Sequence, residues 1–208
     1  MEASAGVNEK EKPVLDKIKQ EIAADPYYAQ NYANDGQRFV AWYLRRVVLC
    51  DETLTKQSIT DGANDKQIDA VVIDDATQRI IVVQGKFLES SSVDKEPLLE
   101  VLVAWRRMHD LEALQTDAND RLKARIEDIR QALADEYSVE FQLLTTGELT
   151  PAARDDLAVF GEDIQAETTF SATLQLLIPR LSILGCSRPR TKTSPSSSMR
   201  CYSTHPVA

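Results

Sequence analysis

Cysteine and histidine are scarce. Cys50, Cys186 and Cys201 form no C-x-x-C pair, and only His109 and His205 are available to join them. A structural zinc site needs four nitrogen or sulfur ligands at close local spacings, which this chain does not offer. A disulfide framework has no support either in a chain that reads as intracellular. Glycine is also sparse, at seven residues. Neither G-x-x-x-x-G-K-[ST] nor G-x-G-x-x-G occurs, so nucleotide binding by those routes has no support. No apolar run approaches the ~20 residues needed to span a bilayer. The first 13 residues are polar and charged, unlike a signal peptide. The simplest location is cytoplasmic, with no membrane partner. Positive charge is short as well. The net charge is −9, which argues against a simple nucleic-acid binder, since neutralising phosphates takes clustered Lys and Arg. Arg188, Arg190, Lys192 and Arg200 stand in a stretch without acids, so the chain before Gly185 is more acidic still.

What is present is an ordinary globular composition. The 208 residues are 43% hydrophobic and 27% charged, enough for one substantial core, or one core plus an extension. Residues 1–12 are expected to be flexible, 13–184 to form an α/β domain, and 185–208 a disordered Ser/Pro/Arg-rich tail that cannot build a core. From Pro13, Val14, Leu15, Ile18 and Ile22 recur at helical spacing up to Asp25-Pro26. Tyr27, Tyr28 and Tyr32 read as packing between helices rather than as a base-stacking platform. Asn34 or Asp35 caps a second helix reaching about Val48. Phe39, Trp42, Tyr43 and Val47 are on its buried side, and Arg38, Arg45 and Arg46 on a solvated one. Gln57–Thr60 is β-prone and reads as a first strand. Leu88–Lys95 reads as a mobile loop, with Glu89 a weak extra acid. Helices are expected from Pro97, through Leu122, Ile126, Ile129 and Leu133, and over Pro151–Phe160 with Gly161 closing the last. Val139–Leu144 reads as a buried strand, and Leu174–Ile178 is an apolar stretch stopped by Pro179.

The most informative stretch runs from Ser58 to Phe87. Two β-branched runs, Ile68–Ile73 and Ile80–Val83, flank the polar hexamer Asp74–Arg79, the pattern of a hairpin. Side chains alternate along a strand, so Asp69, Val71 and Ile73 share one face of the first run. Val82, Gln84 and Lys86 share one face of the second. Pairing brings an acid, an amide and an ammonium together near the open end of the sheet. Asp69 also interrupts an apolar run, where burying a carboxylate costs several kcal/mol without a partner or a metal. Asp61 and Asp65 near Gly62 read first as turn formers, with a metal as the alternative.

D-G-A-N-D-K-Q-I-D-A followed by V-V-Q-G-K-F resembles the nuclease core of the abortive-infection phage-resistance (AIPR) proteins. More broadly it is similar to the Mrr-type branch of the PD-(D/E)XK restriction-endonuclease-like superfamily. The resemblance spans roughly Gln57 to Phe160. It implies a restriction-endonuclease-like core, a small mixed β-sheet flanked by helices. It also implies that Asp69 binds metal, that Gln84 stands where other members carry an acid, and that Lys86 is the lysine of Q-x-K. Many members add a helix Glu to the metal site. Glu21 lies on the first helix, Gln37 on the second and Glu52 after it, and none is singled out. Family members usually continue past this region, so the tail reads as a truncation or a changed reading frame in preference to a tether.

The expected function is a metal-dependent endonuclease in phage defence, using Mg²⁺ or Mn²⁺ on nucleic acid, DNA first. Asp69, Gln84 and Lys86 would be catalytic, with Asp69 and Gln84 at the metal. A homo-oligomeric copy or partner protein could supply the basic groove that this acidic chain lacks, and metal ions carry charge into the site. The alternative is a non-catalytic protein-interaction module that retains the nuclease fold.

Overall fold

In the computed structural model the described residues are 12–90, 92–166 and 169–179. The expected tail, with Cys186, Cys201 and His205, lies outside them. Helix α1 (Lys12–Ala24) is followed by a short α2 (Pro26–Asn31), which Asp25 caps by accepting from the Tyr27 amide. Helix α3 (Asp35–Tyr43), capped by Asn34, runs on into a π-helical turn, Leu44–Val48. Tyr27, Tyr28, Tyr32, Phe39, Trp42 and Tyr43 are buried together, as a packing role requires. Val47 is only half-buried.

The segment after Cys50 corrects the expected strand at Gln57–Thr60. It forms helix α4 (Glu52–Ser58), and only Ile59 makes a β-bridge, to Ala70. The Asp51 side chain accepts from the Leu54 amide at 2.7 Å, and this cap starts a helix before β-propensity can act. Strand β1 (Ala70–Asp74) and strand β2 (Arg79–Lys86) then form the expected hairpin, Asp74 opposite Arg79 and Ala70 opposite Val83. Their residues divide by alternation. Val71, Ile80 and Val82 belong to one core and Ala70, Val72, Ile81 and Val83 to the other. Both faces are covered, which is why the runs are nearly continuous in Val and Ile.

Leu88–Lys95 is not the free loop expected. Strand β3 (Ser92–Val93) lies within it, and Thr146 Oγ1 donates to the Leu88 carbonyl and accepts from the Leu88 amide. Helices α5 (Glu96–Met108), α6 (Leu111–Asp117) and α7 (Asp120–Ala134) follow, then strand β4 (Ser138–Thr145) and strand β5 (Glu148–Leu149), which pairs with β3. Helix α8 (Pro151–Gln165) continues through Gly161, where an added Cβ would meet open space, so no stop is built there. Strand β6 (Ala172–Leu177) completes a sheet ordered β1-β2-β4-β6, antiparallel between β1 and β2 and parallel elsewhere.

The result is a mixed α/β architecture, a small mixed sheet flanked by helices. Buried residues of α5, α6, α7 and α8 cover one face, and those of α1, α2 and α3 cover the other. The arginines of the second helical segment are engaged rather than simply solvated. Arg38 bonds Asp35 and the Tyr32 carbonyl, Arg45 bonds Asp25 and lies over the Tyr27 ring, and Arg46 faces Glu21. Among the described residues no helix is long and apolar enough to cross a membrane.

Candidate metal centre

Asp69 sits one residue before β1, held by its own backbone. Its amide donates to the Val83 carbonyl at 2.9 Å, and its carbonyl accepts from the Thr60 and Asp61 amides. The register places it opposite Gln84, so their side chains share a face. Asp69 Oδ2 accepts from Gln84 Nε2 at 3.0 Å and from the Gly85 amide at 2.7 Å. The residue is only 9% exposed. Burial pushes its carboxyl up to about 7; the Gly85 N–H opposes the rise, Asp61 and Asp65 add to it, and the Lys86 charge opposes it.

Asp61 and Asp65 are the residues that bring further negative charge here. Asp61, Asp65 and Asp69 each offer an oxygen within 4.8 Å of the others. Asp65 also builds the turn: its Oδ1 accepts from the Gln67 amide and its Oδ2 from the Gly62 amide. The turn-former reading therefore holds for Asp65, and the turn carries it to the other acids. Asn64, Lys66 and Gln67 have φ of 61°, 61° and 62°. Left-handed backbone at non-glycine residues costs of order 1–3 kcal/mol each and concentrates at functional sites. Burial, and then Asp65, push the Asp61 carboxyl upward, while Arg121 and Gln37 hold it down.

Lys86, two residues beyond Gln84, shares its strand face, but no ion pair to Asp69 forms. Lys86 Nζ instead lies 2.6 Å from Glu100 Oε2 of α5, a charge contact without the angles of a hydrogen bond. Lys86 reaches Asp69 only through its field. Glu100 was missed from the sequence; the available signal was an acid at the start of a helix otherwise apolar toward the sheet. The other acids considered are occupied elsewhere. Glu21 accepts from Trp42 Nε1 at 3.0 Å, Glu52 pairs with Arg45, and Glu89 pairs with Lys19. Gln37 donates to the Asp61 carbonyl at 3.4 Å and accepts from the Ala33 amide, so it braces the loop and offers the acids no free oxygen.

Gln84 Oε1 is the odd atom. Gln84 is 6% exposed, and this oxygen is buried without a hydrogen-bond partner while its own amide nitrogen holds Asp69. A buried acceptor left unpaired costs about 1–3 kcal/mol. The three carboxylates, with oxygens within 4.8 Å of one another, make an all-oxygen donor set of the kind a hard dication takes, and the Gln84 amide adjoins Asp69. Gly85 lets Val40 of α3 pack against the strand behind the site, because a Cβ there would run into Val40, whereas its 3.6 Å from Asp69 Oδ2 is ordinary contact. No family model matches the chain, no curated protein matches it, and no solved structure matches it.

Proposed function

We propose that this chain is a metal-dependent nuclease hydrolysing phosphodiester bonds, with Asp61, Asp65 and Asp69 holding Mg²⁺ or Mn²⁺. The observation that carries the reading is Gln84 Oε1, a buried and unpartnered oxygen beside a carboxylate whose affinity for protons is raised by burial and then by two further acids. Divalent ions bound by carboxylates and water polarise phosphoryl oxygens and lower the pKa of bound water.

The chain's own residues have distinct roles. Asp69 is the ligand inside the sheet's edge, and the Gly85 amide and the Gln84 side-chain amide fix its carboxylate. Gln84 Oε1 is a neutral ligand or orients the attacking water. Lys86 offsets the charge developing on the phosphorane. Glu100 is a positioning residue, holding the ammonium over the same face of the sheet. The resemblance of D…Q-x-K to the AIPR proteins supplies the setting, phage defence by abortive infection acting on DNA, and a restriction-endonuclease-like core as the fold.

The test is cleavage of supercoiled plasmid in Mg²⁺ or Mn²⁺, comparing the protein with Asp69→Ala and Lys86→Ala, each checked for fold by circular dichroism. Both variants should lose about a hundredfold or more. A protein inert on DNA and RNA under both metals would favour the non-catalytic interaction module instead.

A further inference from the structure

The acidic site has a basic neighbour that the proposed chemistry does not use. One residue past Asp65, Lys66 opens a cavity of about 340 Å³ between the acid-bearing loop and helices α5 and α6. Its lining combines Lys66, Arg106 and Arg107 with Val103, Ala113 and Leu114, and two carboxylates, Asp110 and Asp117. Three cations against two anions make this spot positive in a chain whose net charge is −9. Asp110 is committed locally, accepting from the Ala113 amide as the cap of α6.

The groove is coupled to the acids by contact. Arg107 Nη1 donates to Gln67 Oε1 at 2.8 Å, tying α5 to the loop between Asp65 and Asp69. Arg121 of α7 adds another cation, its Nη1 reaching the Asp61 carbonyl at 3.3 Å. Val103 is 36% exposed on the groove. A cationic rim over an apolar floor suits a repeating unit with a charged and a less polar part, which a bare phosphate is not.

We infer that this groove is a nucleotide subsite, gripping the phosphates of a nucleic-acid strand as it leaves the Asp61–Asp65–Asp69 cluster. Lys66 and Arg106 bind phosphate oxygens, and Arg107 holds the loop while lending its charge. Sugar or base carbon rests on Val103, Ala113 and Leu114. Phosphate contacts position without reading sequence, so the strand is held in register for the acids and its sequence is not read here. The inference rests on the phosphodiester reading for its meaning but is tested without it.

The experiment is fluorescence anisotropy of a labelled single-stranded 20-nucleotide oligomer in EDTA, across about 50–200 mM NaCl. Without metal, neither the acid cluster's ion nor cleavage contributes. Arg106→Glu should raise Kd about tenfold. Lys66→Asn, whose asparagine tolerates the left-handed backbone, should weaken binding in the same direction. Each should lower the slope of log K against log salt by about 0.7 per cation removed. Arg106→Lys should bind nearly as the parent does, and Lys17→Glu, on α1 across the sheet, serves as the charge control. The inference is overturned if the parent protein does not bind the oligomer. It is also overturned if Arg106→Glu and Lys66→Asn leave Kd unchanged, or if Lys17→Glu weakens binding as much. If Arg106→Glu fails to fold, Lys66→Asn decides alone. A protein that cuts plasmid yet binds indifferently to these changes loses only the groove, and one that binds through the groove yet cuts nothing loses only the hydrolytic reading.

Discussion

Replacing Asp69 by asparagine should make the metal-free protein more stable at pH 8. The folded carboxyl is pushed up to about 7 by burial and by Asp61 and Asp65, with the Gly85 amide and Lys86 opposing. The unfolded value is about 3.9. The folded state therefore binds the proton more tightly, so this group's contribution to stability is complete below about pH 4 and is lost as pH rises through about 7. Each unit is worth about 1.4 kcal/mol, so holding Asp69 ionised at pH 8 costs about 4 kcal/mol. Asparagine avoids that cost and keeps an oxygen for the Gly85 amide. The Gly85 hydrogen bond is already contained in the folded value, so the gain is about 4 kcal/mol, or about 8–16 °C in Tm for a chain of this size. Thermal unfolding followed by circular dichroism in EDTA, at pH 8 and again at pH 5, measures it. At pH 5 the folded parent is protonated while the unfolded chain is still mostly ionised, so the difference should shrink to about 1.5 kcal/mol. An asparagine variant that melts lower at pH 8, or by the same increment at both pH values, would refute the reasoning.

Other consequences are open to equally direct measurement. Metal must displace the Asp69 proton, so Mn²⁺ affinity measured calorimetrically should fall about tenfold per pH unit below 7 and level off above it. Gly85→Ala should destabilise by about 1–3 kcal/mol in urea unfolding, because its methyl meets Val40, and adding Val40→Ala should restore most of the loss. Glu100→Gln should lower kcat for plasmid cleavage about ten- to a hundredfold with KM little changed, since it loosens Lys86 without touching the groove. An equal loss in both parameters would assign Glu100 to binding instead.

The hairpin was legible because two Val- and Ile-rich runs around a polar turn have few alternatives, and alternation alone put Asp69 and Gln84 on one face. The partner of Lys86 was not legible. Glu100 lies on another element, and a helix chosen by its apolar stripe hides an acid that reaches Lys86 of the sheet. Asp61 and Asp65 were ambiguous for a physical reason, since an aspartate that builds a turn has the same local signature as one that a turn delivers to a site. Gln57–Thr60 was read as a strand from propensity, but the Asp51 cap began a helix upstream and carried it through Ser58. Strand β3 has two residues, and its partner Glu148–Leu149 is remote in the chain, so nothing local announces it. The basic groove was likewise invisible, because Lys66 and the α5 arginines meet only in the fold.

The central claim is that Asp61, Asp65 and Asp69 share one divalent ion. Titrating Mn²⁺ into the protein at pH 8 and counting free ion by electron paramagnetic resonance tests it most directly. One bound Mn²⁺ per chain in the parent, lost in Asp69→Asn and displaced by Mg²⁺, is the predicted result. Free Mn²⁺ at every addition, or binding unaffected by Asp69→Asn, would contradict it.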